Sequence, residues 1–395
     1  MNETTYFHIR ALSDPDVSVP GGDMTALQKL YACGDPFDAP GTDALFTEAV
    51  RECADWHYAR NAFFHDFLDR SGFSPSEIRS ADDLIRLPML HANFYKTHEV
   101  VTAKREDIVL HLTSSGTSGQ KSQMFFDDWT IFSSDKSADT QFAYYGHITD
   151  KPANYLLYSY EPAEGVDVGT LRTRQMMRRY APANELSYAL RWTGKSHEFD
   201  LFGCIETLLR YEKQGLPVRL LGFPAFLYFT LEKMKDMGYP PLKLHPDSLV
   251  MMGGGWKGFV GQALSASEFR AYIGERLGLP HTCCHESYGA VEHGVAYIDC
   301  ANHHFHVPIY SRAFIRDVKT LEVLPYGTPG FLNVISPMNT AVPVVSLLLG
   351  DLAVLHPGGE CGCGVETPWF EILGRAGTSK NKSCAIAASE LLRKR

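Results

Sequence analysis

The nine residues Thr113 to Lys121, TSSGTSGQK, hold five Ser or Thr hydroxyls, two glycines and a lysine. Glycine lets backbone N–H groups approach an anion closely, short hydroxyls add donors, and a lysine adds a positive point charge. Ser114, Ser115, Gly116, Thr117, Ser118, Gly119 and Lys121, closed by Ser122, therefore suit a polyphosphate. The order is not that of a Walker loop, because Gln120 precedes Lys121 where glycine is required. It is not a nucleophile elbow, which needs Gly-x-Ser-x-Gly. A flexible Ser/Gly surface loop is the plain alternative.

A second constellation is built from cysteine and histidine. Cys361-Gly-Cys363-Gly is a tight turn that can present two thiolates to one ion, glycine supplying the unusual backbone angles. Cys300 and His306, about 55 residues earlier in an expected hairpin, complete a Cys3His set suited to a tetrahedral structural Zn2+. His304 is the rival of His306, since residues two apart on a strand share a face. Packed free thiols are the plain alternative. Cys283 and Cys284 are adjacent and would point in opposite directions on a strand, which reads as packing. Cys33, Cys53 and Cys204 sit in helix-like contexts and read as core.

The elements that must position these residues follow from pattern. The 395-residue chain is 45% hydrophobic and 21% charged, as soluble globular proteins are. A net charge of −9 argues against a nucleic-acid surface. The longest apolar runs, such as AVPVVSLLLG, reach about half the length of a membrane span. The polar start MNETTYFHIRALSDPD is no secretory signal, and nine scattered or His-clustered cysteines fit a reducing cytoplasm. Residues 1–95 read as mainly helical, with apolar residues at three- and four-residue spacing from Gly41 to Gly72. From about residue 105, strand-like runs (DIVLHL, NYLLYSY, VRLLGFP, SLVMMGGG) alternate with helical ones (IETLLRYEKQG, PAFLYFTLEKMKDMG), an α/β pattern. After Pro308 the runs are mostly strands (HFHVPIYSRAFIRD bridging into this part, then GFLNVISP), which predicts antiparallel pairing.

Four motifs occur in a fixed order: the Ser/Thr/Gly loop, then ESYGAVEHG from Glu286, then LLGDLAVL from Leu348, then FEILGRAG from Phe370. Together they resemble the signature of adenylate-forming enzymes, more closely the phenylacetate–CoA ligase branch, and most closely the LuxE-like acyl-protein synthetases. The resemblance runs from about residue 85 to the C-terminus. It implies a large domain of layered mixed β-sheets flanked by helices, here with a helical N-terminal region. It implies that Ser114 to Ser122 wrap the ATP phosphates and that MGGGWKG, with Gly254 and Gly255, forms the wall between adenine and acyl pockets. Tyr288, followed by Gly289, would border the adenine. Glu292 would hold Mg2+, Asp351 would accept both ribose hydroxyls, and Arg375 would sit near the ribose and α-phosphate. Some phenylacetate–CoA ligase relatives share the Cys…His…Cys-x-Cys arrangement, and the place of His306 before its strand, as in them, favours it over His304.

Only 20 residues follow Arg375, where typical adenylate-forming enzymes continue for about a hundred more. The resemblance thus implies a core over 1–373 and a vestigial tail over 374–395. Luminescence-type synthetases accept the acyl group on a cysteine near their C-terminus, and Cys384 occupies the matching place. Lys380 and Lys382 precede it, and cations favour a thiolate. Lys382 or Lys380 could also stand in for the catalytic lysine of the longer enzymes. Ser383 could cap a short helix with Cys384 in its first turn. The expected activity is ATP-dependent activation of a fatty or aryl acid, transfer to Cys384, and hand-over to an acyl reductase or carrier protein. Direct transfer to CoA or a carrier, and a non-catalytic subunit that keeps only the fold, are the alternatives.

Overall fold

The structure is a computed structural model and describes residues 17–113, 123–163, 180–256 and 264–375. The N-terminal region forms helices as its periodicity predicts: α1 (Thr25–Ala32), α2 (Ala39–Arg60) and α3 (Ala62–Arg70). Asp38 caps α2 by accepting from the Gly41 N–H. The apolar pattern from Gly41 to Gly72 is not one helix, because Asn61 interrupts it. The Asn61 side chain accepts from the Phe64 N–H to start α3, and its Nδ2 donates to the Val101 carbonyl at 3.1 Å. Asparagine competes for backbone hydrogen bonds and so favours such caps.

His57 on α2 is fully buried. Its Nε2–H donates to the Asn339 carbonyl at 2.8 Å, so its Nδ1 accepts from the Thr102 hydroxyl at 2.7 Å. Burial pulls its pKa down to about 4. An unfolded histidine titrates near 6.5, so the unfolded chain takes up this proton first as pH falls. The stabilisation from neutral His57 is complete above about pH 6.5 and declines towards pH 4, by about 1.4 kcal/mol per pH unit. Buried His293, lowered to about 3, adds in the same direction. Denaturant unfolding should therefore show lower stability at pH 5 than at pH 7, with a shallower slope in His57→Gln. An unchanged slope in that variant would rule His57 out as a source.

The chain continues through β1 (Leu90–His91) to the antiparallel hairpin β2 (Leu110–Thr113) and β3 (Gln123–Phe126). This hairpin carries the predicted phosphate loop between Thr113 and Gln123, which pair across it. Asp127 follows and caps α4 (Asp128–Tyr144). It accepts from the Thr130 N–H at 2.8 Å and from the Thr340 hydroxyl at 2.7 Å.

The chain divides into two compact units. One runs from Tyr145 to Tyr288. It alternates β4 (Ala153–Tyr160), β5 (Ala183–Trp192), β6 (His197–Phe199), α5 (Leu201–Gln214), β7 (Val218–Gly222), α6 (Pro224–Asp236), β8 (Leu249–Gly253), α7 (Ala266–Leu277) and β9 (Cys284–Tyr288). The strand order is β9-β8-β7-β4-β5-β6, parallel except for β6 against β5. Strands β4 and β7 are buried almost throughout, which explains their continuous apolar sequence. Leu208, Leu220, Leu231, Val250 and Leu277 form the core between sheet and helices.

The other unit joins the segment ending at Tyr144 to the segment beginning at Gly289. Its later part contains β10 (Tyr297–Ile298), β11 (Phe305–His306), β12 (Arg312–Arg316), β13 (Gly330–Ile335), β14 (Ser346–His356) and β15 (Trp369–Arg375). Five of these form the path β11-β15-β14-β13-β12, all antiparallel, and β1 adds in parallel beside β14. The antiparallel character expected after Pro308 is present. The run HFHVPIYSRAFIRD is not one strand, however. Pro308 has no N–H to give a ladder, and the Val307 and Ile309 N–H groups donate to Pro368 and Pro36 carbonyls. β10 is held by Gln141 of α4, whose side chain accepts from the Ile298 N–H at 3.3 Å.

The segment from Ser336 to Val342, between β13 and β14, is buried. Trp56 Nε1 donates to the Thr340 carbonyl at 3.0 Å, and the Thr340 N–H donates to the Thr130 hydroxyl at 3.2 Å. The Val342 N–H donates to Asn339 Oδ1 at 2.7 Å. Loops normally run over the surface because buried backbone needs partners. Here α2, Asp127 and α4 supply them. No helix among the described residues is long and apolar enough to cross a membrane.

Candidate active site and metal centre

Two of the predicted nucleotide residues are brought face to face. Asp351 on β14 and Arg375 at the end of β15 are direct partners across the antiparallel pair. A bulge between Leu352 and Ala353 shifts the register next to them. Neither side chain is buried. Pattern reading missed a neighbour, His91. A Cβ placed on Gly350 would lie 3.9 Å from His91 Cε1. His91 Nδ1 accepts from the Asn93 N–H at 3.0 Å, which leaves the proton of the neutral ring on Nε2. Burial, then the charges of Lys96 and Arg375, lower its pKa. β1 meets β14 across more than 250 residues of chain, so no local signal could have found it.

Glu292 lies in the turn between β9 and β10 and is 7% exposed. The His293 and Gly294 N–H groups both donate to the Ala290 carbonyl at 3.0 Å, closing that turn. Gly294 has φ +76°, a left-handed backbone that side chains rarely adopt, and a Cβ there would also displace the end of the Met338 side chain, so glycine is favoured. Ser134 of α4 donates to the Gly294 carbonyl at 2.9 Å. Tyr95 is close by: burial first, then the Glu292 charge, push its phenol up. A buried carboxylate carried on a fixed turn is a hard oxygen donor of the kind Mg2+ takes.

Gly289 belongs to the unit of Glu292, whereas Gly254, Gly255 and Tyr288 belong to the other. Gly254 and Gly255 follow β8 with φ +80° and +67°, a left-handed pair that disfavours any side chain. Tyr288 ends β9, which pairs in parallel with β8 up to Gly253 and Ser287. These residues thus stand at the carboxyl ends of adjacent parallel strands, where open α/β sheets bind ligands. Phe223 is buried, 5.9 Å from Tyr160 between ring centroids. Phe226 and Trp256 pack against the core of their unit. Ser114, Ser115, Gly116, Thr117, Ser118, Gly119, Lys121 and Ser122 lie outside the described residues, as do Lys380, Lys382 and Cys384.

The cysteine and histidine residues converge. Ligand atoms of Cys300, His306, Cys361 and Cys363 all lie within 4.8 Å of one another. Cys300 Sγ is 3.5 Å from Cys361 Sγ, and Cys363 Sγ is 3.3 Å from His306 Nε2. Zinc–ligand bonds of about 2.3 Å to sulfur and 2.0 Å to nitrogen give tetrahedral edges of about 3.5–3.8 Å, so the donors fit one such ion. His306 Nδ1–H donates to the Thr367 carbonyl at 2.7 Å, which leaves the Nε2 lone pair for a metal. Burial lowers its pKa to about 4, so the ring is neutral. Burial pushes the Cys300 thiol up, while backbone N–H groups of His304 and Asn302 act in the opposite direction. The Val365 N–H donates to Cys363 Sγ at 3.5 Å. His304, the sequence rival of His306, meets this group through Cys361, with Nδ1 3.1 Å from its sulfur.

The fold itself defines a class. Solved structures of 2-hydroxyisobutyryl-CoA ligase match it, one in an open conformation with 2-HIB-AMP and CoA at TM-score 0.66 and 14% identity, covering 93% of this chain and 81% of that one. Another, in the postadenylation state with R3-HIB-AMP, matches at 0.64 and 15%, covering 96% and 78%. The chain therefore has the α/β fold of adenylate-forming ligases. The profile of the acyl-protein synthetase, LuxE, family matches residues 26–393, and the chain belongs to that family, an enzyme of the acyl-protein synthetase type. A long-chain-fatty-acid–luciferin-component ligase of Vibrio harveyi is 25% identical over 88% of this chain and 88% of its own length. That of Aliivibrio fischeri is 24% identical over 87% and 88%.

Proposed function

We propose that this enzyme joins a carboxylic acid to ATP as an acyl-adenylate and then moves the acyl group to the thiol of Cys384. The acid is a long-chain fatty acid, as in the names of the two Vibrio-type relatives. The carboxylate oxygen attacks the α-phosphorus and pyrophosphate leaves. The Cys384 thiolate then attacks the acyl carbonyl and AMP leaves. A carboxylate meeting a phosphate is a repulsive encounter, which Mg2+ held by Glu292 and the donors of residues 114–122 would offset. Gly254, Gly255 and Tyr288 would bound the adenine, and Asp351 and Arg375 would hold the ribose and α-phosphate. The thioester on Cys384 would be collected by an acyl reductase or carrier protein. The observation that carries this reading is the family match, which spans the nucleotide motifs and Cys384 alike. Acid-dependent exchange of labelled pyrophosphate into ATP tests it. A screen over fatty, aryl and short acids should give exchange with long-chain acids, and no exchange with any acid would end the proposal.

In the same reading, Cys300, His306, Cys361 and Cys363 hold one structural Zn2+. All four positions come from protein, which leaves no open site for catalysis. The ion ties the turn around Cys300 and β11 to the turn that joins β14 to β15, the strands of Asp351 and Arg375. Elemental analysis should find one zinc per chain, lost in Cys361→Ser/Cys363→Ser. Full zinc content in that double variant would remove these ligands from the assignment. The cysteines among the described residues, not joined in disulfides, suit a reducing compartment such as the cytoplasm.

A further inference from the structure

We propose that His304 is a positioning residue of the metal centre, one that donates a hydrogen bond to the Cys361 sulfur and is held in place by stacking on Trp369. The inference rests on the zinc reading and deepens it. His304 Nδ1 lies 3.1 Å from Cys361 Sγ. A metal-bound thiolate can only accept, so the Nδ1 proton must sit between them. The His304 ring lies flat on Trp369, with centroids 3.7 Å apart and an interplanar angle of 12°. His356 also stacks on Trp369, at 4.0 Å and 13°, and its Nε2 is 3.2 Å from Glu371 Oε1. Trp369 is buried and pairs with His306 across β11 and β15, so one tryptophan orients the donor ring beside the ligand ring.

There is an electrostatic reason for such a donor. Three thiolates and one Zn2+ leave a net charge of −1 in a largely buried place, which burial disfavours. Backbone N–H groups meet Cys300 and Cys363. The Cys363 N–H acts on Cys361, whose thiol burial pushes up. His304 adds a side-chain donor to that same sulfur. Asn302 Nδ2 donates to the Cys361 carbonyl at 2.7 Å, which helps fix the backbone there. His304 therefore spreads the thiolate charge and sets the angle at which Cys361 meets the ion.

Two substitutions separate the donor from the stack. His304→Phe keeps a ring on Trp369 and removes the donor, whereas His304→Asn keeps a donor near the Nδ1 position and removes most of the stack. The full chain is loaded with zinc and challenged with a chromophoric chelator; a parallel sample is loaded with Co2+. His304→Phe should still bind one zinc, with affinity lower by about 10–100-fold. Its sulfur-to-cobalt charge-transfer band should move to lower energy, because an unprotected thiolate is easier to oxidise. His304→Asn should recover most of the affinity and of the band position. Unchanged affinity and band in His304→Phe would overturn the inference while leaving the zinc site standing. Loss of zinc in His304→Phe with retention in His306→Ala would overturn it by making His304 the ligand. A wild-type chain that takes up neither zinc nor cobalt would overturn the metal centre and the inference with it.

Discussion

Cys384→Ala should retain acid-dependent pyrophosphate exchange and lose all covalent acylation of the protein. The two half-reactions need different groups, so one substitution can remove the second and spare the first. Exchange requires only the acid, ATP and the residues that stabilise the pentavalent phosphorus. Acylation requires a thiolate able to reach the adenylate carbonyl. Cys384 lies nine positions beyond Arg375, and such a segment spans at most about 30 Å. Arg375 lies directly opposite Asp351, so the acceptor is tethered within reach of the ribose end of the proposed site. Lys380 and Lys382, which precede Cys384 in sequence, would favour the thiolate by their charge. AMP is a good leaving group, so attack on the carbonyl needs no further activation. The wild-type enzyme incubated with ATP, Mg2+ and a long-chain acid should gain one acyl mass, removed by neutral hydroxylamine and mapped to the peptide containing Cys384. An adduct that survives in Cys384→Ala, or product that forms only on added CoA, would replace self-acylation with direct ligation.

The second large effect concerns Glu292. Glu292→Ala should lower exchange on the order of 100-fold or more, in the range seen when a preorganised group is removed from developing charge. The loss should appear in kcat as well as in the Mg·ATP requirement, because the charge matters most as negative charge builds on the phosphate oxygens in the transition state. The turn itself should survive. Its geometry is set by backbone bonds to Ala290, by the left-handed Gly294 and by the Ser134 hydroxyl, none of which uses the carboxylate. An Ala variant with native unfolding behaviour and undiminished exchange would show that Glu292 is not the Mg2+ ligand.

Much of the architecture was legible because local pattern and tertiary role agree. Strands such as NYLLYSY and VRLLGFP are continuous apolar runs since both sheet faces are covered. The Cys-x-Cys turn announced itself by its glycines, and its partners by chemistry, so the four donors could be grouped before any distance was known. The rest depended on contacts far apart in sequence. Asn61 looks like one more polar residue on a helix until its bond to Val101 is seen. His91 has no motif around it, and only the parallel pairing of β1 with β14 puts it beside Gly350. Phe223 is buried, and the half-buried Phe226 and Trp256 pack against the core of their unit, contacts that their local sequence does not reveal. His304 and His306 share a face on strand geometry; in the structure His306 bonds the Thr367 carbonyl and His304 lies against Cys361, contacts that no local pattern supplies.

The segment from Ser336 to Val342 has the composition of an exposed connection, yet Asn339 is 3% exposed and Thr340 and Ala341 are inaccessible. Its amide hydrogens on Thr340 and Val342 are tied to side chains inside the unit. They can meet deuterated solvent only when the surrounding helices and sheet come apart. In hydrogen exchange this stretch should therefore behave like a central strand, among the last to label. Proteases would find no cleavable bond there in the native enzyme. The usual freedom to lengthen a connection or insert a tag at a polar loop does not extend to these seven residues, whose sequence resembles a hinge and whose surroundings make them a keystone.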